Sequence, residues 1–276
     1  MVINAVRGQG EPMRRDIEDN IAQIASRFVD ARRTATVLTD YPGAIPDDLG
    51  DAYAVQDAAM ALCAGDIVGW KVGRINPPIG DVDRLAGPIF ASARVSTEAH
   101  SVAMPVFAGG FAAAEAEFLL RIGMAPDPRK RHYTLEEATA LIDAVHVGIE
   151  IASSPFGGIN DHGAGVTISD FGNNNGLVIG SAIEDWSGAQ LLDWPVELII
   201  NGEMIGAGMA SAMLDGPFGA ARFLFELMAA RGIALTPGQW ISSGAVTGVH
   251  RVCVGDVVQA RFDARYSVTC TIKAEG

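Results

Sequence analysis

Two glutamates, Glu115 and Glu117, stand two residues apart in an otherwise apolar stretch, GGFAAAEAEFLLRIG over residues 109–123. If this stretch is a strand, both carboxylates point to the same face. Like charges so close repel each other, and burying them costs free energy. A hard divalent cation such as Mg²⁺ or Mn²⁺ removes both costs, because it prefers oxygen ligands. A half-exposed strand needs no ion, and an Ala-rich helix would turn the carboxylates about 200° apart.

A third carboxylate and a lysine lie in two further apolar segments. Glu150 belongs to a predicted strand, residues 147–152, and faces away from its apolar neighbours. It is therefore a third potential metal ligand. Lys71 lies in a short β segment, DIVGWKVG over residues 66–73. Because an ammonium group is rarely buried unpaired, Lys71 either snorkels to the surface or is held near an anion or a reacting carbon.

Three residues on predicted loops are further candidates for substrate binding. Arg74, directly after the Lys71 segment, can bind the second carboxylate of a dicarboxylic substrate, although a loop arginine is more often solvated. Asp161 and His162 lie in a Gly-rich loop, residues 157–165, and loops of this kind often carry functional groups. The sequence contains no Gly-x-Ser-x-Gly elbow, P-loop or complete dinucleotide fingerprint, which argues against those enzyme classes.

Composition and charge set broad limits on the partners of the protein. The chain has 276 residues, 49% of them hydrophobic, which is enough for a sizeable core. Its net charge of −13 argues against nucleic acid and anionic membranes as partners, since both require basic patches. Three cysteines without zinc-like spacing indicate reduced thiols, and we expect a cytoplasmic protein without a signal peptide or a membrane span.

The apolar periodicity predicts helices in the first part of the chain. Residues 1–13 lack periodicity and are predicted to be a flexible lead. Residues 14–37 and 49–64 carry apolar side chains at helical spacing, and residues 76–78, Asn-Pro-Pro, predict a loop. Three arginines of the first helix are expected on its solvated face: Arg27, Arg32 and Arg33.

After residue 103, short apolar runs alternate with Gly-rich turns, which predicts a β-rich body. A capping box of Thr134 and Glu137 predicts a helix that runs to about Val145. Asn201-Gly202 is typical of a hairpin turn between two strands. Residues 217–231 predict a helix, with Pro at its start and Gly just beyond its end.

Seven short motifs follow one another along the chain from about residue 52 to the C-terminus. They are AYAVQ (52–56), VGWKVG (68–73), AAEAEF (113–118), VGIEI (147–151), GNNNGLVIG (172–180), INGEMIGAG (200–208) and LTPGQWISSG (235–244). Each motif is short, but the ordered set resembles the 2-keto-4-pentenoate hydratase and 4-oxalocrotonate decarboxylase group of the fumarylacetoacetate hydrolase superfamily.

The resemblance implies an α+β fold. This is a mixed β-roll of the fumarylacetoacetase C-terminal type, with peripheral helices and a helical N-terminal portion. It implies one domain over residues 14–276, with a helix-rich part at 14–100 and the β-roll at 101–276. It also implies a Mg²⁺ or Mn²⁺ ion held by a Glu-x-Glu pair and a distant carboxylate. Five residues match the pattern of the family or lie in its motifs: metal ligands Glu115, Glu117 and Glu150, the active-site lysine Lys71, and Ser243 as a substrate contact.

The sequence departs from the resemblance at two places. The family usually has an acidic pair after the strand GPIF, where this chain has Ala91 and Ser92. A serine or threonine is common where Ala245 stands. Either difference removes a group that could transfer a proton or orient the substrate, so the implied fold and metal carry over more directly than the implied reaction.

The resemblance implies a metal-dependent lyase that acts on 2-hydroxy-2,4-dienoates or 2-keto-enoates. The main prediction is a 2-keto-4-pentenoate hydratase of aromatic-compound catabolism, working on a small oxo-acid as a homo-oligomer. Three alternatives stay open. Two are enzymes, a 4-oxalocrotonate-type decarboxylase and an acylpyruvase-like carbon–carbon hydrolase that would use Asp161 and His162. The third is a weakly or non-catalytic homologue that binds an oxo-acid.

Overall fold

The structure is a computed structural model that describes residues 10–96, 102–188 and 190–276, with side chains from residue 15 onward. Its helices lie around two β-sheets. The helices are α1 (Gly10–Arg33), α2 (Leu49–Leu62), α3 (Leu135–Thr139), α4 (Ala164–Ser169) and α5 (Gly216–Arg231). The first seven strands are β1 (Ile67–Ile79), β2 (Val82–Phe90), β3 (Arg94–Ser96), β4 (Val102–Val106), β5 (Phe111–Ile122), β6 (Ile142–Ser154) and β7 (Asn174–Ala182). The others are β8 (Pro195–Ile200), β9 (Glu203–Met209), β10 (Trp240–Ser242), β11 (His250–Arg251), β12 (Val257–Phe262) and β13 (Tyr266–Ala274).

The eight-stranded sheet carries the candidate site residues. Its strand order is β2-β1-β10-β5-β6-β7-β3, and β11 also pairs with β5. The contacts β1–β10 and β3–β7 are parallel and the others are antiparallel. Strands from both sides of residue 100 therefore share one sheet. The division of the chain at residue 100 and the single domain over residues 14–276 stay predictions.

The five-stranded sheet, in the order β4-β13-β12-β8-β9, packs against the eight-stranded sheet. Phe118 of β5 meets Phe262 of β12 edge to face, with 5.2 Å between the ring centroids. Apolar side chains of α5 join the same core. A second apolar cluster packs Ile24 and Phe28 of α1 against Phe111 of β5. The α+β fold with mixed sheets and peripheral helices, as the resemblance implies, is confirmed.

Local signals predicted several element ends correctly. Thr134 and Glu137 form the capping box of α3. Asn201 and Gly202, both with positive φ, form the turn between β8 and β9. Gly232 ends α5 in the left-handed conformation.

Two segments differ from the prediction because strand pairing overrides local preference. The helix predicted to reach Val145 ends at Thr139, and β6 begins at Ile142, where alternating side chains pair along β5. Residues 76–78, predicted as a loop, lie within β1. They occupy the irregular part of its pairing between Arg74 and Ile79, where a proline costs no regular ladder hydrogen bond.

The first helix begins at Gly10, four residues before its predicted start, and residues 1–9 of the predicted flexible lead lie outside the described residues. Arg32 does not lie on a solvated face: it forms a buried ion pair with Asp170, 138 positions away. No described helix combines the length and apolarity needed to span a bilayer. The predicted cytoplasmic location stays a prediction.

Candidate metal centre and substrate cavity

Side-chain alternation places four buried charged residues of the eight-stranded sheet on one face. Apolar residues next to them in sequence point into the core between the two sheets, including Phe118 of β5, Ile149 of β6 and Trp70 of β1. The charged residues therefore point to the opposite face. The four residues on that face are Lys71, Glu115, Glu117 and Glu150.

Pairing of neighbouring strands brings the three glutamates together. Glu115 lies directly opposite Glu150 in the β5–β6 ladder, and Glu117 lies two pairs further along, on the same face. All three are buried, with exposed fractions of 5%, 0% and 0% for Glu115, Glu117 and Glu150. One carboxylate oxygen of each lies within 4.8 Å of the other two. The predicted convergence of three remote carboxylates is present in the fold.

The hydrogen bonds of the cluster fit a group that binds a hard cation. Ser242 Oγ and the backbone N–H of Gly244 donate to Glu117 Oε2, at 2.5 and 2.9 Å. Asn174 Nδ2 donates to Glu150 Oε1 at 2.9 Å. The other oxygens, Glu117 Oε1 and Glu150 Oε2, are buried without a hydrogen-bond partner. Oriented carboxylates with unused oxygens are what Mg²⁺ or Mn²⁺ requires, so the residues present fit the implied metal.

Lys71 lies against this cluster and does not snorkel to the surface. Its Nζ is 3.5 Å from Glu150 Oε1, and its side chain is almost fully buried. Burial alone would lower the pKa of Lys71, but the nearby negative charges of Glu150, Glu115 and Glu117 outweigh it and raise the pKa above its ordinary value. Lys71 is thus a buried cation in the metal-free protein.

One lysine does not balance three buried carboxylates. Burial raises the pKa of Glu115 to about 7, with attraction by Lys71 opposing the rise and repulsion by Glu150 adding to it. Burial, then repulsion by Glu150 and Glu115, also holds the pKa of Glu117 well above its usual range. The cluster therefore favours either protons or a cation, which is the electrostatic condition for a metal-binding site.

A cavity of about 990 Å³ opens beside the cluster, and Lys71 and Glu115 lie in its wall. Its volume suits a small molecule. Apolar side chains line much of it, together with several polar groups. The lining includes Arg74, Ile75, Arg84, Leu85, Asn160, Thr167, Asn173, Met213, Ser243, Ala245, Val246 and Thr247.

The residues predicted to bind substrate divide into those that line the cavity and those that do not. Arg74 and Ser243 line the cavity, and the Ser243 hydroxyl is buried without a hydrogen-bond partner. Asp161 and His162 are exposed, and the His162 ring stacks on Phe156. The cavity wall instead uses Asn160 and Gly163 from the same loop, so the fold does not bring the Asp161–His162 pair into the cavity.

The two places where the sequence departs from the family pattern differ in their position relative to the cavity. Ala91 and Ser92 are exposed and do not line the cavity. Ala245 does line it. Two residues on, Thr247 contributes a wall position, and its hydroxyl is buried without a hydrogen-bond partner. The cavity thus has a hydroxyl near the place where Ala245 lacks one.

Sequence reasoning missed the residues that orient the carboxylates. Ser242 and Asn174 each donate to a glutamate, but neither has a signal of its own in the sequence. Ser242 directly precedes the candidate Ser243, and Asn174 belongs to the three-asparagine run. The three-asparagine run beside a predicted strand was the one feature of the sequence that could have indicated these hydrogen-bond donors.

The chain is similar in sequence to a known enzyme. No protein-family model matches the chain. The chain is 26% identical to a 2-hydroxyhexa-2,4-dienoate hydratase of Comamonas testosteroni over 244 residues, which is 86% of this chain and 90% of the relative. The named relative is an enzyme, which supports an enzymatic role.

Two solved structures share the fold. The 4-oxalocrotonate decarboxylase of Pseudomonas putida G7, complexed with magnesium and adipate, superposes with a TM-score of 0.78 at 20% identity, covering 92% of this chain and 98% of that one. The fumarylpyruvate hydrolase of Pseudomonas aeruginosa, in complex with Mn²⁺ and pyruvate, gives a TM-score of 0.55 at 15% identity, covering 74% of this chain and 88% of that one. The resemblance predicted from the sequence motifs, to the 2-keto-4-pentenoate hydratase and 4-oxalocrotonate decarboxylase group, is confirmed as a likeness by the hydratase relative and by the shared fold.

Proposed function

We propose that this protein, which has the fold and the sequence likeness of the fumarylacetoacetate hydrolase superfamily, is a Mg²⁺- or Mn²⁺-dependent lyase. Its substrate is a 2-hydroxy-2,4-dienoate or the corresponding 2-keto-enoate, and its main reaction is hydration. The observation that carries the proposal is the buried cluster of three glutamates, with oxygens within 4.8 Å of one another, beside a cavity of about 990 Å³. The 2-hydroxydienoate hydratase relative supports the substrate class.

Each residue of the cluster has a role that follows from its contacts. Glu115, Glu117 and Glu150 would hold the cation, which when bound supplies a Lewis acid that stabilises negative charge at the C2 oxygen of a chelating oxo-acid. Ser242 holds Glu117 and Asn174 holds Glu150 in fixed orientation.

Lys71 lies beside the cluster and in the cavity wall, and the charges of the glutamates raise its pKa, which favours the ammonium form. It is therefore placed to attract the substrate carboxylate or to give a proton to the substrate carbon skeleton. In the hydratase reaction, a proton adds at C5 while the 2-hydroxyl loses its proton, which gives the 2-oxo-3-enoate. Water then adds across C3 and C4, with its hydroxyl on C4 and its hydrogen on C3. Ser243 and Thr247 offer hydroxyls in the wall that can orient this water, since neither hydroxyl has a hydrogen-bond partner among the described residues.

A decarboxylase reaction on a dicarboxylic substrate is the second candidate, and Arg74 is the observation that favours it. Arg74 lines the cavity and lies opposite Arg84 in the β1–β2 ladder. Arg84 is already bound to Asp83 and to the carbonyl oxygen of Leu214. Among the described residues, Arg74 has no such partner, so it can receive a distal carboxylate. The decarboxylase structure that shares the fold was obtained with adipate, itself a dicarboxylate.

The two remaining alternatives lack a supporting contact. A carbon–carbon hydrolase would need an activated water, and the exposed Asp161–His162 pair lies outside the cavity wall. A non-catalytic oxo-acid-binding protein would bind the same ligands without turnover. Incubation with Mg²⁺ and 2-hydroxypenta-2,4-dienoate, which can be hydrated but has no second carboxylate to lose, tests hydration. A parallel incubation with 4-oxalocrotonate, whose distal carboxylate can leave as CO₂, tests decarboxylation, and binding without any product indicates the non-catalytic alternative.

The metal site is tested by titrating Mg²⁺ and Mn²⁺ into the wild type and Glu115→Gln by calorimetry. The substitution keeps the shape of the side chain but removes one negative charge from the cluster, so we expect a large loss of affinity. A surface variant, Glu197→Gln, is the matched control. Equal affinity of the wild type and Glu115→Gln would eliminate the site as described.

A further inference from the structure

Three consecutive residues adopt the left-handed backbone region, and the last two of them lie in the cavity wall. Phe171, Gly172 and Asn173 have φ angles of 55°, 64° and 66°. Residues other than glycine rarely adopt such angles, although asparagine tolerates them better than phenylalanine. Conformations of this kind persist only where the surrounding structure holds them, and they concentrate at functional sites.

A buried ion pair holds this segment on one side. Asp170, fully buried, directly precedes Phe171, and its two oxygens accept hydrogen bonds from Nε and Nη2 of Arg32 at 2.5 and 2.9 Å. Arg32 Nη1 also donates to Asn175 Oδ1 at 3.0 Å, just after the segment. Arg32 of α1 therefore forms hydrogen bonds with the chain both before and after the three left-handed residues.

Strand β2 limits the segment on the other side. A Cβ atom at Gly87 would lie 1.9 Å from the carbonyl oxygen of Phe171, so only glycine fits there. A Cβ atom at Gly172 would come 3.0 Å from Cδ of Lys71. The segment therefore packs between Arg32 of α1 and Gly87 of β2, next to the side chain of Lys71.

The result of this arrangement is the position of Asn173. Its side chain lines the cavity, it is only 3% exposed, and its Oδ1 is buried without a hydrogen-bond partner. A Cβ atom on the residue before it would meet the side chain of Lys71, and the residue after it, Asn174, donates a hydrogen bond to the metal-ligand candidate Glu150. An unused acceptor so placed calls for an O–H donor from a ligand, because a buried oxygen without a partner costs free energy.

We propose that Asn173 contacts the substrate, its amide oxygen accepting a hydrogen bond from the hydroxyl of a 2-hydroxy acid or dienol held at the glutamate cluster. The left-handed segment and the Arg32–Asp170 pair position that amide. The proposal rests on the proposed function, because it needs the metal and the oxo-acid to bind. The competing explanation is that asparagine occurs here only because it tolerates a positive φ.

The test uses two small metal-chelating probes that differ in one O–H donor. Lactate has a 2-hydroxyl group, and oxalate has none. Calorimetric titration of each into the Mg²⁺-loaded wild type, Asn173→Gly and Ala264→Gly gives the affinities. Glycine keeps the left-handed backbone and removes the amide. Ala264, another left-handed residue, lies in the β12–β13 turn and is the control.

We expect Asn173→Gly to bind lactate about three- to tenfold more weakly, the usual range for one hydrogen bond, with oxalate and Mg²⁺ affinities within about twofold of the wild type. The Ala264→Gly control keeps all three affinities. Unchanged lactate affinity, or equal weakening of lactate and oxalate, overturns the proposal while the metal site stands. Failure of the wild type to bind Mg²⁺ or either probe overturns both the proposal and the proposed function.

A second variant decides the matter if Asn173→Gly does not fold in a thermal melt. Asn173→Asp tolerates the left-handed backbone and keeps an acceptor oxygen, but it adds a negative charge. Both anionic probes should bind more weakly because of the added charge, but lactate should lose less affinity than oxalate. The lactate-to-oxalate affinity ratio should therefore rise by at least about threefold, because a carboxylate accepts a stronger hydrogen bond from the hydroxyl than an amide oxygen does. A ratio equal to that of the wild type, which the competing explanation predicts, or a selective loss of lactate binding would overturn the proposal.

Discussion

The two sheets of this protein share one core but treat polar groups in opposite ways. On the five-stranded sheet, charges pair at the surface, as in the Arg261–Glu197 pair, whose side chains are 47% and 36% exposed. Among the described residues, every buried polar or charged side chain lies outside that sheet. The eight-stranded sheet buries Lys71 and three glutamates, two of which retain oxygens without a partner.

This difference shows where the molecule gives up stability for function. Buried, repelling carboxylates cost free energy unless a cation is bound. The neighbouring five-stranded sheet buries no polar or charged side chain among the described residues, so the fold itself does not require those charges. The proposed ligand site therefore lies on the eight-stranded sheet, and the five-stranded sheet packs behind it.

The largest expected effect is a loss of Mg²⁺ affinity when a negative charge is removed from the eight-stranded sheet but not when one is removed from the five-stranded sheet. Glu150→Gln, in the buried cluster, should lower Mg²⁺ affinity by at least about 100-fold, because it removes the negative charge of a carboxylate that would bind the ion directly. The rate of dienoate turnover should fall correspondingly. Glu197→Gln, on the five-stranded sheet, should leave both unchanged. Calorimetry and an absorbance assay measure these effects. Similar behaviour of the two variants would abolish the contrast between the sheets.

The next effect comes from replacing one basic side chain on each sheet, Lys71 on the eight-stranded sheet and Arg261 on the five-stranded sheet. Lys71→Met should lower kcat by about 100-fold, because it removes the protonated group beside the substrate. It should also destabilise the metal-free protein by roughly 3 kcal/mol, since it leaves Glu150 buried without its ion pair. Arg261→Met, the surface counterpart, should cost less than about 1 kcal/mol. Urea unfolding and steady-state kinetics test both, and equal stability losses would contradict the assignment.

A smaller effect on activity is expected at Arg32, outside the cavity wall. Arg32→Gln should lower kcat/KM by about tenfold through misplacement of the left-handed segment, with Mg²⁺ affinity unchanged. It should also reduce stability, because Asp170 stays buried without its partner. Arg33→Gln removes the neighbouring surface pair with Asp30 and serves as the control. Lactate affinity is the decisive readout: if it equals the wild-type value in Arg32→Gln, the pair has only a structural role.

The smallest effect is a dependence of stability on pH. The pKa of Glu115 is raised to about 7 in the folded protein from 4.5, so between these values the folded state binds more protons than the unfolded state. The contribution of Glu115 to stability is therefore fully present below pH 4.5 and is lost as the pH rises through 7. Stabilisation of the protein by Mg²⁺ should accordingly be larger at pH 8 than at pH 5.

Denaturant unfolding with and without Mg²⁺ at the two pH values measures this difference. Glu115→Gln should reduce it, because the variant has no carboxyl group to titrate at that position. An equal gain from Mg²⁺ at both pH values in the wild type would show that the cluster does not exchange protons for metal.

The face of each functional side chain was predictable, but its partners were not. Alternation along a strand already placed Glu115 and Glu117 together and turned Glu150 away from its apolar neighbours. The same reasoning left Lys71 undecided between the surface and the site, because its ion pair with Glu150 joins distant segments. It was wrong for Arg32, whose partner Asp170 lies 138 positions along the chain.

By itself, the sequence determined the local geometry of this protein: strand alternation, the turn at Asn201-Gly202, the caps of α3 and α5, and the presence of carboxylates in apolar strands. These features depend on neighbours within a few residues, so a linear pattern records them. Only the tertiary structure decided which strands are adjacent, and with that the convergence of Glu150 and Lys71 on the glutamate pair, the donors that orient them, and the position of Asn173. The reason is physical, because contacts between remote segments arise from packing and strand register, which no short stretch of the chain contains.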